Sequence, residues 1–101
     1  MKNPSPLEKD IESKVVKFAK ENFGMLVYKF TSPSRRSVPD RLFITNTGDS
    51  FFIEFKRLGE KPTAAQQVEI EKLRKQRARV WVVDDVEEGK TTVRMVVHGL
   101  L

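Results

Sequence analysis

V-P-D-R-L-F-I-T-N-T-G-D-S-F-F-I-E-F-K, running from Val38 to Lys56, is the stretch whose reading decides the fold. It reads as two strands, Leu42 to Thr45 and Phe51 to Lys56, joined through a turn at Asn46-Thr47-Gly48-Asp49. The period of two along the second strand sends Phe51, Ile53 and Phe55 to one face, towards a core. Glu54 and Lys56 share the opposite face with Phe52. An acid and a base thereby stand side by side on a rigid strand, and the hairpin brings Asp40 to them from the start of the neighbouring strand. Two carboxylates, Asp40 and Glu54, with the backbone carbonyl of Phe55 between the key side chains, offer hard oxygen ligands suited to Mg²⁺. Such an ion polarises a phosphoryl group and helps generate hydroxide. A lysine beside it, Lys56, can position the water or neutralise developing charge. The pattern suits phosphodiester hydrolysis.

The flanks sharpen this reading. P-L-E-K-D-I-E-S, from Pro6 to Ser13, places glutamates on a helix before the strands, and T-A-A-Q-Q, from Thr63 to Gln67, opens a helix shortly after the lysine. Together with K-F-T-S-P-S-R-R-S-V-P-D-R, from Lys29 to Arg41, the order resembles the PD-(D/E)xK nuclease superfamily and, within it, a stand-alone virus-type replication-repair nuclease (VRR-NUC) domain, over roughly Leu7 to Val86. One visible departure is Ser37, where that family often has glycine before Val-Pro-Asp. The resemblance implies an α/β fold with a restriction-endonuclease-like core in the order αβββαβ and a mixed central sheet flanked by helices. It implies that Glu8 completes the metal shell through water and that Gln66 belongs to the active site, orienting Lys56 or the nucleophile. It also implies likeness to archaeal Holliday-junction resolvases, hence a homodimer acting on branched DNA with Mg²⁺ or Mn²⁺.

The residues themselves leave some of these readings open. Ser5 with Pro6 and Glu8 has the form of a capping box opening a helix from Pro6 to Phe23, so Glu8 reads equally as a cap; Glu12 reads as solvated. Leu7, Ile11, Val15, Phe18 and Asn22 recur at helical spacing, and Gly24 supplies the stop. Met25 to Thr31 alternates as a first strand, with Leu26, Tyr28 and Phe30 opposite Val27 and Lys29. The following loop carries Arg35 and Arg36 next to Asp40, which suits gripping a phosphate backbone, with Lys29 and Arg41 joining them. Thr63 and Gln66 form a second capping box, so Gln66 has a purely local explanation beside its implied one. The helix they open reaches about Arg77, with a thin core side of Ala65, Ile70 and Leu73. Its basic run, Lys72 to Arg79, reads as a solvated face.

Val80 to Val83 is a short apolar run that reads as a buried strand beside the hairpin. Thr91 to Val97 alternates like a strand, while Val93, Val97 and Leu100 also fit a helix face; the resemblance implies a terminal helix.

The composition bounds the rest. With 101 residues, 39% hydrophobic and 33% charged, the chain has the make-up of one globular domain. Nineteen Lys and Arg against fourteen Asp and Glu leave a net charge of +5, which calls for a polyanionic partner, most simply nucleic acid. The absence of cysteine excludes disulfides and thiolate metal sites, and a lone His98 excludes multi-histidine zinc centres. No apolar run approaches the ~20 residues that span a bilayer and no signal peptide is read, so the expected location is intracellular. Val68 on the off-face of the second helix and the apolar stretch from Val93 to Leu101 are expected near a dimer interface, with Arg35 and Arg36 of both subunits lining one basic face. Two alternatives stand: flap or nicking cleavage by the same chemistry, and a non-catalytic basic nucleic-acid-binding module.

Overall fold

A computed structural model describes residues 7–32 and 37–100. The elements run α1 (Glu8–Phe23), β1 (Leu26–Lys29), β2 (Arg41–Ile44), β3 (Ser50–Phe55), α2 (Ala64–Lys75), β4 (Val80–Val83) and α3 (Val86–Val97). One sheet has the order β1-β2-β3-β4. The first three strands form an antiparallel meander, and β4 returns parallel to β3 after the α2 crossover, as parallel pairing requires. The sheet is thus mixed and the fold is the α/β arrangement expected, with α3 added after β4.

The turn between β2 and β3 is closed by Thr45. Its Oγ1 accepts from the backbone N–H of Asp49 at 3.0 Å, and its own N–H donates to the Asp49 carbonyl at 2.8 Å. This clamp fixes the register Phe43↔Phe51 and Arg41↔Ile53, and register decides which side chains are buried. Phe43, Phe51, Ile53 and Phe55 are wholly buried on the face covered by α1 and α3. Phe43 and Phe51 stack with centroids 4.9 Å apart, and Trp81 meets the edge of Phe51. Ile11, Val15, Val16 and Ala19 of α1, with Val93 and Val96 of α3, complete one apolar cluster. Each such side chain, fully withdrawn from water, contributes about 1.5–3 kcal/mol as an upper bound.

The helix termini differ in part from expectation. α1 begins at Glu8 with Leu7 as N-cap and no side-chain cap bond, so Glu8 is no capping partner of a described residue; Ser5 and Pro6 lie outside the described residues. Its acidic first turn, Glu8 and Asp10, and basic last turn, Lys20, complement the helix dipole. Gly24 ends it at φ 60, the left-handed conformation that glycine adopts without a Cβ penalty. On α2 the inward residues are Ile70 and the half-buried Gln66 and Leu73, whereas Ala65 is exposed. At 100° per residue, position 65 stands about 140° from position 70 and cannot share its stripe. Arg74, read as part of a solvated face, donates from Nε and Nη2 to the Val80 carbonyl at 3.2 and 2.6 Å and ties α2 to β4.

The C-terminal segment is a helix, and it starts earlier than its apolar pattern suggests. Asp85 accepts from the Glu88 N–H at 3.0 Å as N-cap. The buried face is Gly89, Thr92, Val93 and Val96, while Val97 and Leu100 are exposed at 38% and 68%. Val93 and Val96 therefore belong to the chain's own core and not to an exposed patch. Gly89 lies where α3 crosses α1: a Cβ built on it would stand 2.6 Å from Cγ2 of Val15. Only glycine permits that approach.

Candidate active site

β2 begins at Arg41, one residue after Asp40 and two after a proline, which has no N–H to offer a ladder. On β3 the N–H groups of Phe52 and Lys56 turn to β4, bonding to Arg79 and Val83 carbonyls at 2.8 Å, so that of Phe55 turns to β2. Asp40 meets it. Its Oδ2 accepts from the Phe55 N–H at 2.8 Å, so a side chain finishes the ladder where the backbone leaves it. The Phe55 carbonyl faces the same side of its strand. Asp40 is also tied laterally, its carbonyl accepting from the Phe30 N–H at 2.8 Å.

Glu54 is only 2% exposed, an extreme position for a carboxylate. Two donors meet it at one oxygen, Oε2: Gln66 Nε2 at 2.8 Å and Lys56 Nζ at 3.5 Å. Gln66 makes the expected capping box and in addition bonds to Glu54 rather than to Lys56. Its N–H donates to Thr63 Oγ1 at 3.1 Å and its Oε1 accepts from the Thr63 N–H at 2.9 Å, a complete capping box. That box orients the amide: with Oε1 held by the helix start, the NH₂ group is directed at Glu54. Burial, then repulsion from Asp40, pushes Glu54 up to about 7 despite the neighbouring Lys56 ammonium. Burial likewise raises Asp40, opposed by the Phe55 N–H and reinforced by Glu12. Burial followed by the charge of Asp40 raises Glu8, which places the first turn of α1 within the field of the site.

Among the described residues no three carboxylate, histidine or cysteine groups form a ready cage for a cation. The donor set nonetheless fits a magnesium-like ion, which keeps several waters and is held through one or two carboxylates. The protein bonds described at the site use Oδ2 of Asp40 and Oε2 of Glu54. The mutual repulsion of these acids is what a divalent charge relieves.

Glu12 and Arg41 form an ion pair that sequence reasoning missed. Glu12 is not a solvated residue: its Oε2 accepts from Arg41 Nε, anchoring α1 to the first residue of β2. Only the edge position of Glu12 on the apolar stripe hinted at it. Arg41 is thus held by a carboxylate, whereas Lys29 is exposed at the end of β1. Arg35 and Arg36 lie outside the described residues. A cavity of about 410 Å³ lies elsewhere, lined by Asn22, Phe23, Thr45, Asp49 and Val96 among others and by none of Glu8, Asp40, Glu54, Lys56 or Gln66.

A solved structure described as a VRR_NUC domain is 34% identical to this chain, with a TM-score of 0.69, covering 87% of this chain and 96% of its own. The chain belongs to the VRR-NUC family. A second structure, a VRR_NUC domain protein, is 16% identical with a TM-score of 0.76 over 94% of this chain and 91% of its own, and speaks for the fold alone. "Putative nuclease p44" of Acyrthosiphon pisum secondary endosymbiont phage 1 is 47% identical over 60 residues, 59% of each chain, so the match spans about three fifths of that relative. No family model matches the sequence. On this VRR-NUC fold Glu54, Lys56 and Gln66 are in contact, with Asp40 bonded to the N–H of Phe55 beside them.

Proposed function

We propose that this VRR-NUC chain is a structure-selective endodeoxyribonuclease that hydrolyses phosphodiester bonds of branched DNA, such as Holliday junctions, with Mg²⁺ or Mn²⁺. The observation that carries the reading is the buried carboxylate Glu54, pushed up to about 7 beside Asp40 and flanked by Lys56 and the cap-oriented Gln66. Burying acids together costs stability, so their persistence speaks for a positively charged occupant or transition state. Asp40, Glu54 and the Phe55 carbonyl would hold the cation, with Glu8 reaching it through water. When bound, it supplies Lewis-acid stabilisation of charge on the phosphoryl oxygens.

The chain's own groups do the rest. Lys56 Nζ sits where it orients the attacking water or meets developing negative charge, and Glu54 keeps it there. Gln66 holds the Glu54 carboxylate through its Oε2. Lys29, Arg35, Arg36 and Arg41 contribute positive charge towards the DNA backbone, Arg41 as a member of its pair with Glu12. No helix among the described residues is long and apolar enough to cross a membrane. Exposed Val68, Val97 and Leu100 offer apolar surface to a homodimer, which would supply two sites for two symmetric cuts.

The test is cleavage of labelled duplex, flap, nicked and four-way substrates with Mg²⁺, Mn²⁺ or chelator, alongside light scattering at micromolar concentration. Symmetric metal-dependent cuts in the four-way substrate by a dimer are expected. A monomer preferring flaps or nicks selects that specificity instead, and binding without cleavage under every metal leaves only a nucleic-acid-binding module.

A further inference from the structure

On the sheet face away from α1 and α3, α2 covers the β4 side and leaves the β1 side open. The register places Tyr28, Leu42 and Phe52 in one row across β1, β2 and β3, and the next row begins with Phe30, bonded through its N–H to the Asp40 carbonyl. Phe30 and Phe52 meet with centroids 5.1 Å apart at 55°. Neither is fully buried, and Tyr28 beside them is 51% exposed. Phe52 lies on the same face of β3 as Glu54, two residues back, which is about 6.6 Å along the strand. That distance is roughly two stacked-nucleotide steps of about 3.4 Å.

We propose that Tyr28, Phe30 and Phe52 form a shelf on which an unpaired nucleobase next to the scissile phosphate stacks, so that among branched DNAs those with single-stranded character at the cut are preferred. This rests on the nuclease reading of Asp40 and Glu54. In an intact duplex every base face is covered by its neighbours, so an aromatic shelf gains nothing from paired DNA; an unpaired base brings two free faces. The location favours a nucleic acid over a second copy of the chain. The shelf continues directly into the residues that would face phosphate, and a net charge of +5 per chain attracts a polyanion. Lys29, between Tyr28 and Phe30 in sequence and exposed, and Lys56 beyond Glu54 add cationic groups at the same end.

The test uses two DNAs carrying 2-aminopurine at one position, unpaired at the base of a single-stranded arm in the first and paired within a continuous duplex in the second. Binding is read by anisotropy and base stacking by 2-aminopurine quenching, in the full-length Asp40→Asn chain. Quenching of the unpaired probe is expected. Tyr28→Ala and Phe30→Leu should each weaken binding of the armed DNA roughly tenfold, within the range of one lost stacking contact. Affinity for the continuous duplex should change less than twofold, and Tyr28→Phe should retain wild-type behaviour. Equal losses on both DNAs, or no loss on either, would overturn the shelf. So would a concentration-dependent dimer that Tyr28→Ala dissociates, since the face would then belong to a second copy. The two readings fail separately: no metal-dependent cleavage by the wild-type chain, with the selective quenching intact, sinks the nuclease and keeps the shelf.

Discussion

Under α1 and α3 the sheet presents Phe43, Phe51, Ile53 and Phe55 with no exposure at all, whereas across the same strands Leu26 and Tyr28 stay more than half exposed and a carboxylate, Glu54, is buried. The first face minimises contact with water by filling space with carbon. The second holds ionisable groups in positions that cost stability and leaves aromatic surface uncovered. Alternation along a strand is what allows both in one small chain, since neighbouring residues serve opposite purposes without sharing an environment. Substitutions on the two faces should therefore fail in different ways.

The largest effect belongs to the acids. Asp40→Asn or Glu54→Gln should lower DNA cleavage on the order of 10³-fold or more, with DNA binding unchanged or tighter because a negative charge near phosphate is gone. Asparagine can still accept from the Phe55 N–H, so circular dichroism and melting should stay native. Either variant cutting at the wild-type rate would collapse the distinction between the faces. Lys56→Ala should reduce the cleavage rate by roughly 10²-fold while metal affinity, read by calorimetry, changes little. A large loss of metal binding with normal turnover at saturating metal would assign the lysine to the wrong task.

On the covered face the currency is stability. Phe51→Ala should cost about 3–5 kcal/mol in urea unfolding, from lost burial and the cavity left behind. A cost near zero would mean that the stacked Phe43–Phe51 pair is not what holds α1 and α3 to the sheet. The pH response sharpens the contrast. Glu54 sits near 7 in the folded chain against an ordinary 4.5, so the folded state binds its proton more tightly than the unfolded one. Its contribution is fully present below about pH 4.5 and is lost as pH rises through about 7. The metal-free chain should thus melt lower at pH 8 than at pH 5.5 by more than Glu54→Gln does, and added Mg²⁺ should restore the difference. An identical pH slope in both proteins would remove Glu54 as its source. Smallest of all, Val68→Ser, at an exposed position, should shift stability by less than about 0.5 kcal/mol, and its effect on dimer mass reads whether that patch is an interface.

Strand alternation made much of this site legible in advance. Period two alone put Glu54 and Lys56 together and Phe51, Ile53 and Phe55 opposite, and Thr63-x-x-Gln66 gave the helix start; the bond of Gln66 to Glu54, in place of the implied contact with Lys56, was not legible. What stayed hidden was long-range. Nothing in local spacing pairs Glu12 with Arg41, because the contact depends on how α1 lies across β2. The cap at Asp85 was legible as an acid opening a helix, but the alternation of Thr91 to Val97 masked it. Ala65 was misplaced by one position, an error a strict 100° count removes. That Glu54 is almost sealed from water follows from α2 closing over it, which no strand pattern encodes.

Gly89 gives the two faces a mechanical link. The missing methyl lets α3 sit against Val15, whose branched side chain has little rotameric freedom to retreat. Glu8 lies seven residues upstream on the same rigid rod, a lever arm of about 10 Å. A wedge as small as an alanine at Gly89 would therefore swing the first turn of α1, carrying Glu8 and the Glu12 anchor with it. The spacing of acids at one end of the molecule is gauged by a hydrogen atom inside its core, a place where tuning would need no change to any residue that meets the substrate.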